Sequence, residues 1–174
     1  MPWTLKFLFA TTLAVLGLLL PAHQAMAQEI SEYQLKAVLF YRLTHFVYWP
    51  ENKEIPRPTH LCIVGTDPFG QSLRQIDGGK QDTRIVINPD DLSICQLLFI
   101  ARSESERLTL WLSRAKTKPL LTVSDIPGFA RAGGMIELPL EAGRVAIVVN
   151  RRASEAQGFG FNAQLLRLAR VVGG

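Results

Sequence analysis

The run Leu61-Cys-Ile-Val64 decides the fold, because it is uniformly apolar and is soon followed by Asp67-Pro68, a pair typical of a helix start. Three later runs are of the same kind: Arg84-Ile-Val-Ile87, Leu97-Leu-Phe-Ile100 and Leu120-Leu-Thr-Val123. Continuous rather than alternating hydrophobicity is typical of strands covered on both faces, as in parallel sheets. Ser103-Glu-Ser-Glu106 is a capping box that predicts a helix over Leu108–Ala115. The pattern indicates βαβαβ, an open sheet with helical crossovers.

The last third of the chain has a different pattern. Met135-Ile-Glu-Leu-Pro-Leu140 and Arg144-Val-Ala-Ile-Val-Val149 are predicted to be two strands joined by Glu141-Ala-Gly143, a hairpin-length connection. Pro139 favours a place for the first strand at or near the sheet edge, because proline cannot donate to a ladder. The predicted fold class is α/β: an open, mainly parallel mixed β-sheet flanked by helices, with a C-terminal antiparallel hairpin and a final helix.

Two helices are predicted to close the chain. Arg151 to Gln157 is expected to be a short helix ended by Gly158, and Asn162 is a suitable N-cap for a final helix over Ala163–Val172. That helix is expected to turn its apolar residues inward, namely Leu165, Leu166, Leu168, Ala169 and Val172.

The first helix of the domain carries more apolar surface than one core needs. Ser31-Glu-Tyr-Gln34 is a capping-box start, and the helix is expected to continue to about Tyr48. Its apolar side chains leave only a narrow polar face with Glu32 and Lys36 at i,i+4 spacing. The surplus has two explanations: a central position in a crowded layer, or a second contact with a copy of the chain or with another protein.

Composition limits the classes of function. The chain has 174 residues, of which 48% are hydrophobic, and a formal net charge of +4. Such a chain is predicted to fold once around a core. Its basic residues are scattered instead of forming the dense stripe that a phosphate backbone requires, so nucleic acid is not an expected partner.

The first 27 residues have the features of a signal peptide. Lys6 supplies a positive start, Phe7 to Leu20 is almost entirely apolar, and Ala25-Met26-Ala27 offers the small residues that a signal peptidase reads. A transmembrane anchor is the alternative, but the apolar stretch is shorter than the about 20 residues that a span needs. We expect export, cleavage after Ala27, and a single domain over residues 28–174.

Export changes the interpretation of the two cysteines. In an oxidising compartment Cys62 and Cys95 are the only pair available, and a disulfide between them is expected. Two buried free thiols are the alternative. A metal site is not expected, because two cysteines without CxxC spacing or a nearby His pair leave a zinc ion two ligands short.

Polar residues follow the predicted parallel strands at their carboxyl ends, the edge where open α/β domains bind ligands. The candidate rim consists of Thr66, Asp67 and Phe69 after the first strand, Ser103 and Glu104 after the third, and Ser124, Asp125 and Phe129 after the fourth. Backbone amides at helix starts are able to hold a small anion there. For Asp67, Ser103 and Asp125 the alternative is a role as helix caps alone.

No catalytic residue and no cofactor site is predicted. The histidines after the signal segment, His45 and His60, are not in HExxH spacing, and no GxSxG, Walker or dinucleotide glycine pattern occurs. Asp67 and Asp125 are the one candidate carboxylate pair, but no nucleophile accompanies them. The sequence therefore favours a binding module over an enzyme.

Four ordered motifs cover nearly all of Ser31 to Val172. They are Lys36-Ala-Val-Leu-Phe-Tyr-Arg-Leu-Thr-His-Phe-Val-Tyr-Trp-Pro50, Leu61-Cys-Ile-Val-Gly-Thr-Asp-Pro-Phe-Gly70, Leu121-Thr-Val-Ser-Asp-Ile-Pro-Gly-Phe129 with Gly133-Gly-Met135, and Gln164-Leu-Leu-Arg-Leu-Ala-Arg170. In this order and spacing they resemble the YfiR family of bacterial periplasmic proteins. The resemblance implies a periplasmic location in a Gram-negative bacterium, a homodimer, and a disulfide corresponding to Cys62 and Cys95. The second cysteine pair of the best-known member has no counterpart here.

The resemblance also implies a non-enzymatic regulator without a cofactor. The best-known member represses an inner-membrane diguanylate cyclase by binding its periplasmic sensor domain, and an outer-membrane lipoprotein relieves it, which controls cyclic di-GMP and biofilm formation. Partner contacts are expected at Phe129 and Met135 and, on the last helix, at Gln164 and Arg167. The alternative is a small-molecule sensor that acts with a histidine kinase or an outer-membrane receptor, with Phe69 and Phe129 as pocket walls.

Overall fold

The computed structural model describes residues 21–50, 54–76 and 82–174, with side chains from Glu32 onward. The chain divides into two compact units, Met1–Glu32 and Tyr33–Gly174, and the second contains the described strands. Most of the expected signal peptide, residues 1–20, lies outside the described residues, so its cleavage stays a prediction. No helix in the described ranges combines the length and the apolarity that crossing a bilayer requires.

The helices and strands of the described residues are numbered in chain order. The α-helices are α1 (Pro21–Arg42), α2 (Gln71–Ile76), α3 (Leu108–Ala115), α4 (Arg151–Glu155) and α5 (Ala163–Leu168). Short 3-10 helices cover Leu43–His45, Leu92–Ile94 and Arg102–Arg107. The strands are β1 (Val47–Tyr48), β2 (Thr59–Val64), β3 (Thr83–Ile87), β4 (Leu97–Ile100), β5 (Leu121–Ser124), β6 (Ile136–Glu137), β7 (Leu140–Glu141), β8 (Arg144–Val145), β9 (Val148–Asn150), β10 (Gly160–Phe161) and β11 (Arg170–Val172).

One mixed sheet organises the second unit, and its strand order is β11-β9-β6-β5-β4-β2-β3. The five strands from β3 to β6 run parallel, and β9 and β11 run in the opposite direction. The predicted α/β class, mainly parallel with an antiparallel edge, is therefore confirmed. The four apolar runs of the sequence correspond to β2, β3, β4 and β5.

Cover on both faces explains the continuous hydrophobicity of the central strands. Alternate residues of β2 enter different cores: Leu61 packs on the side that contains Phe40 of α1, and Cys62 on the side that contains Leu112 of α3. β4 follows the same rule. The apolar stretches Leu61–Val64 and Leu97–Ile100 are thus continuous because helices cover both faces of the sheet.

The expected disulfide is present between Cys62 and Cys95, whose Cα atoms are 5.8 Å apart. Both cysteines are buried, and no free cysteine remains in the chain. The bond joins Cys62 of β2 to Cys95, which lies two residues before β4 begins at Leu97. It therefore ties the middle of β2 to the segment that leads into the neighbouring strand β4.

Two predictions about α1 are wrong. The helix begins at Pro21, so Ser31 lies inside it instead of capping its start. It also ends at Arg42, six residues before Tyr48, because Val47 and Tyr48 form β1 and pair antiparallel with Phe161 and Gly160 of β10. That pairing joins residues more than a hundred positions apart, and local helix propensity gives no sign of it.

The hairpin is present but differs from the prediction at Pro139. Both predicted strands are interrupted: β7 and β8 pair near the turn, whereas β6 and β9 pair inside the main sheet. Pro139 lies in the gap between β6 and β7, where it needs no ladder hydrogen bond. β6 therefore lies between β5 and β9, third from the β11 end of the sheet, so this strand is near that edge but does not form it.

The final helix is shorter than predicted. Asn162 caps it as expected, since its Oδ1 accepts a hydrogen bond from the Leu165 amide at 2.9 Å. The helix ends at Leu168, and residues 170–172 form β11, which pairs in parallel with β9. Leu165 is buried, but Leu168 is 72% exposed, so the prediction that Leu168 faces inward is wrong.

Loss of the disulfide is expected to destabilise the protein. The loop it closes has a sequence separation of 33 residues. Chain entropy assigns such a loop about 4 kcal/mol, so Cys62→Ala should lower the free energy of unfolding by about that amount. Urea denaturation of the variant and of Cys62→Ala/Cys95→Ala measures the loss, which should be similar in both. A single variant with the wild-type unfolding midpoint would contradict this expectation.

Candidate functional site

A buried ion pair joins α1 to the end of the sheet. Lys36 is fully buried, and its Nζ lies 2.8 Å from Oδ2 of Asp125, the residue that follows β5. The same Oδ2 accepts a hydrogen bond from the Tyr33 hydroxyl at 3.0 Å, and Arg102 Nε lies 3.1 Å from it. The lysine Nζ also lies 4.8 Å from the centroid of the Tyr33 ring, a cation–π distance. Three donors from two separate segments thus converge on one carboxylate.

Lys36 and Asp125 are both buried and paired, which differs from the places expected for them from the sequence. Lys36 was expected on the narrow solvent face of the helix, and Asp125 was expected to be a cap or a rim residue. The sequence does contain a signal of this pair, because Lys36 lies among apolar helix residues. A lysine is almost never fully buried unless it is paired with an opposite charge. The sequence does not show which carboxylate pairs with it, because Asp125 is 89 residues away.

The loop between β5 and β6 is held from within by Glu137. One carboxylate oxygen accepts a hydrogen bond from the Gly128 amide at 3.0 Å, and the other accepts one from the Ala130 amide at 2.9 Å. Gly134 lies against the buried ring of Phe129, and any Cβ at this position would overlap that ring. The loop is therefore a fixed part of the fold that positions Asp125 at its start.

The predicted rim residues do not form one site. Thr66 and Ser103 do meet, since the Thr66 amide donates to Ser103 Oγ at 2.9 Å. Asp67 accepts from the Phe69 amide at 2.8 Å, which makes it the cap of a local turn, because α2 begins only at Gln71. The capping box predicted at Ser103 is wrong, since a 3-10 helix precedes α3 and neither has a side-chain cap.

Two aromatic rim residues belong to the core. The Phe69 ring centroid lies 4.6 Å from that of Phe99 and 5.8 Å from that of Phe40, so Phe69 packs within an aromatic cluster. Phe129 is fully buried in the core on the α3 side. Neither ring is available as the wall of an open ligand pocket. Asp125 is the rim residue that borders a cleft, described below.

Half of the expected partner-contact residues lie at the surface. Phe129 and Met135 are 0% and 1% exposed, which contradicts their expected place on a contact surface. Both pack apolar side chains into the cores on either side of the sheet. Gln164 and Arg167 are exposed on α5, so a contact there stays a prediction.

The surplus apolar surface of α1 is real. Ala37 and Phe40 are buried, whereas Leu35 and Val38 are 46% and 39% exposed. These two residues stand three positions apart and share one outer face of the helix. Lys36, the anchor to Asp125, lies between them in the sequence. The ion pair therefore fixes which face of α1 is turned outward.

A polar cleft of about 340 Å³ lies beside Asp125. Its charged lining consists of Arg102, Arg131, Arg170, Asp125, Glu137 and Glu141. Arg170 donates two hydrogen bonds to Glu141, at 2.7 and 3.3 Å. The hydrogen bond from Arg170 lowers the pKa of the Glu141 carboxyl and, reciprocally, raises the pKa of Arg170.

No cluster of three His, Cys, Asp or Glu side chains suited to a metal ion occurs among the described residues.

A family model described as DUF4154, YfiR/HmsC-like, matches residues 33–170 of the chain. The match spans the whole sheet up to the start of β11 and both partners of the buried ion pair. The chain belongs to the YfiR/HmsC-like family. No curated protein matches it significantly.

The YfiR/HmsC-like family comprises periplasmic, non-enzymatic regulators, and its known context is cyclic di-GMP signalling. The resemblance inferred from the four motifs is thereby confirmed. Membership supports a regulatory role in signalling and suggests a protein partner.

Removal of the buried lysine is expected to destabilise this YfiR/HmsC-like domain strongly. In Lys36→Met the Asp125 carboxylate stays buried but loses its closest cation, and breaking a buried pair in this way costs about 3–5 kcal/mol. Chemical denaturation followed by circular dichroism measures the change. Lys116→Met removes an exposed lysine after α3 and is expected to change the free energy of unfolding by less than about 0.5 kcal/mol. Equal stability of the two variants would rule out a structural role for the pair.

Proposed function

We propose that the protein is a periplasmic, non-enzymatic regulator that binds and represses the periplasmic sensor domain of an inner-membrane diguanylate cyclase. It thereby controls cyclic di-GMP and biofilm formation. The observation that carries the proposal is the family match over residues 33–170. The expected signal peptide over residues 1–27 supports the periplasmic location.

The outer face of α1 supports a function in protein binding. Leu35 and Val38 are exposed although they belong to a helix whose other face is buried in the core. An exposed apolar pair on a rigidly anchored helix loses little conformational entropy on association, because the helix is already ordered. We assign this face to contact with protein, either in a homodimer or with the cyclase.

Repression needs a difference in affinity between two states of the cyclase. A regulator represses when it binds the inactive form of the sensor domain more tightly than the active form. A difference of about 2 to 3 kcal/mol moves the population roughly 30- to 150-fold. The protein needs no chemistry of its own for this effect.

Relief of repression requires a competing contact, which we place on α5. Gln164 and Arg167 are exposed there, on an element distinct from α1. An outer-membrane lipoprotein that binds this face would sequester the regulator from the inner membrane. Crosslinking in the periplasm from a photoreactive residue at Gln164, followed by identification of the captured protein, tests this assignment.

The function is tested by deletion of the gene in its native host. Cellular cyclic di-GMP should rise, and a plasmid copy of the wild-type protein should lower it again. Deletion of the gene for the repressed cyclase should remove the difference. Unchanged cyclic di-GMP in the deletion strain would overturn the proposed function.

A charge on the outer face of α1 is expected to abolish repression without unfolding the protein. Val38→Glu places a carboxylate where an apolar contact is proposed, and Thr109→Glu adds the same charge at an exposed polar position of α3, the helix on the other side of the sheet. The first variant should behave like the deletion in the cyclic di-GMP assay, and the second like the wild type. Both should melt at the wild-type temperature. Full repression by Val38→Glu would show that this face makes no functional contact.

A further inference from the structure

The register of four strands determines where the polar cleft forms. Ser124 of β5 is aligned with Glu137 of β6, Glu137 with Val148 of β9, and Val148 with Arg170 of β11. Because β9 and β11 run opposite to β5 and β6, their first residues meet the last residues of β5 and β6 at one end of the sheet. The cleft of about 340 Å³ lies at this end. Its volume falls within the range of about 300–1,000 Å³ that is usual for small-molecule sites.

The three carboxylates that line the cleft already have partners. Asp125 Oδ2 is bound by Lys36 at 2.8 Å, and Glu141 is bound by Arg170 at 2.7 Å. Glu137 of β6 accepts hydrogen bonds from two backbone amides of the loop between β5 and β6. These negative charges are thus compensated within the protein and offer little repulsion to an anion.

Arg131 has no such partner. In the part of the chain that the structure describes, its guanidinium makes no ion pair and no hydrogen bond, although it borders the same cleft as Arg102 and Arg170. Among the described residues that line the cleft, Arg102 pairs with Asp125 and Arg170 pairs with Glu141. Arg131 is the arginine of this lining with which no described carboxylate pairs, and it supplies the positive charge that is open to an anion.

Asp125 supplies a second, independent observation. Its side chain is 1% exposed and borders the cleft, yet its Oδ1 accepts no hydrogen bond from any residue that the structure describes. A buried carboxylate oxygen without a donor is costly, and in native structures such an atom calls for an explanation. A hydroxyl group of a bound molecule would satisfy it.

We propose that this cleft binds a small hydroxylated oxyanion, that is, a hydroxycarboxylate or a hydroxylated phosphate ester. Arg131 is its anion receptor, because a guanidinium presents parallel N–H donors that match carboxylate and phosphate oxygens. Asp125 Oδ1 accepts the hydrogen bond of its hydroxyl group. The site goes beyond the proposed repression of a cyclase, since it is a property of the isolated protein and is measured without any partner.

Isothermal titration calorimetry of the purified full-length mature chain tests the proposal. The probes are L-malate and glycerol 3-phosphate, with succinate and inorganic phosphate as matched anions that lack the alcohol group, all in chloride buffer of equal ionic strength. We expect at least one hydroxylated probe to bind with a dissociation constant below about 1 mM. It should bind more tightly than its matched anion. The choice between malate and glycerol 3-phosphate distinguishes a carboxylate site from a phosphate site.

Substitution of Arg131 locates the site. Arg131→Gln should weaken binding of the preferred probe by about tenfold or more, and Arg131→Lys should weaken it less, since lysine keeps the charge but loses the paired donors. Arg84→Gln removes the same charge from the opposite edge of the sheet, on β3, and should bind like the wild type. Both residues changed, Arg131 and Arg84, are at exposed positions, so the melting temperatures of the three variants should be unchanged. The proposal is overturned if no probe binds, if Arg131→Gln binds as tightly as the wild type, or if the matched anions bind as tightly as the hydroxylated probes.

Discussion

The contact between Lys36 and Asp125 is the constraint on which the functional surfaces depend. A charge without a partner in the interior is too costly to keep, so Lys36 can be buried only if α1 lies where its ammonium group reaches the end of β5. This requirement sets the rotation of the helix about its axis. One face then packs Ala37 and Phe40 into the core, and the opposite face turns Leu35 and Val38 outward.

The same carboxylate connects the two surfaces to which we propose functions, the outer face of α1 and the cleft. Asp125 holds α1 through Lys36 and Tyr33, and it borders the cleft together with Arg102 and Arg131. The loop that follows it is fixed by the Glu137 carboxylate and by the close approach of Gly134 to Phe129. A change at the cleft that altered the Asp125 side chain would therefore reach α1 through one shared ion pair, without any rearrangement of the sheet.

The errors of the sequence-based predictions have a common physical cause. The mostly apolar segment up to Tyr48 predicts a helix α1 that continues to that residue, yet β1 within it pairs with β10 far along the chain. Pro139 favours a strand at or near the sheet edge, whereas the proline lies in a break between two short pairings and needs no edge position. Phe129 and Met135 were assigned to a contact surface from their neighbourhood in the sequence, and both are buried. In each case a contact with a distant segment overrode the local signal.

The amino-acid sequence by itself determined the α/β class, the four apolar strands β2 to β5, the disulfide and the family. Each of these is encoded locally: runs of apolar residues predict strands covered on both faces, two cysteines allow one pair, and ordered motifs carry the resemblance. The tertiary structure alone decided that Lys36 is buried against Asp125. It also decided that the strand register brings Glu137 and Arg170 to one end of the sheet. Arg131 borders the cleft at this end, and no described carboxylate pairs with it. These features depend on which distant residues meet, and that is settled by the packing of the whole sheet and not by the composition of any one segment.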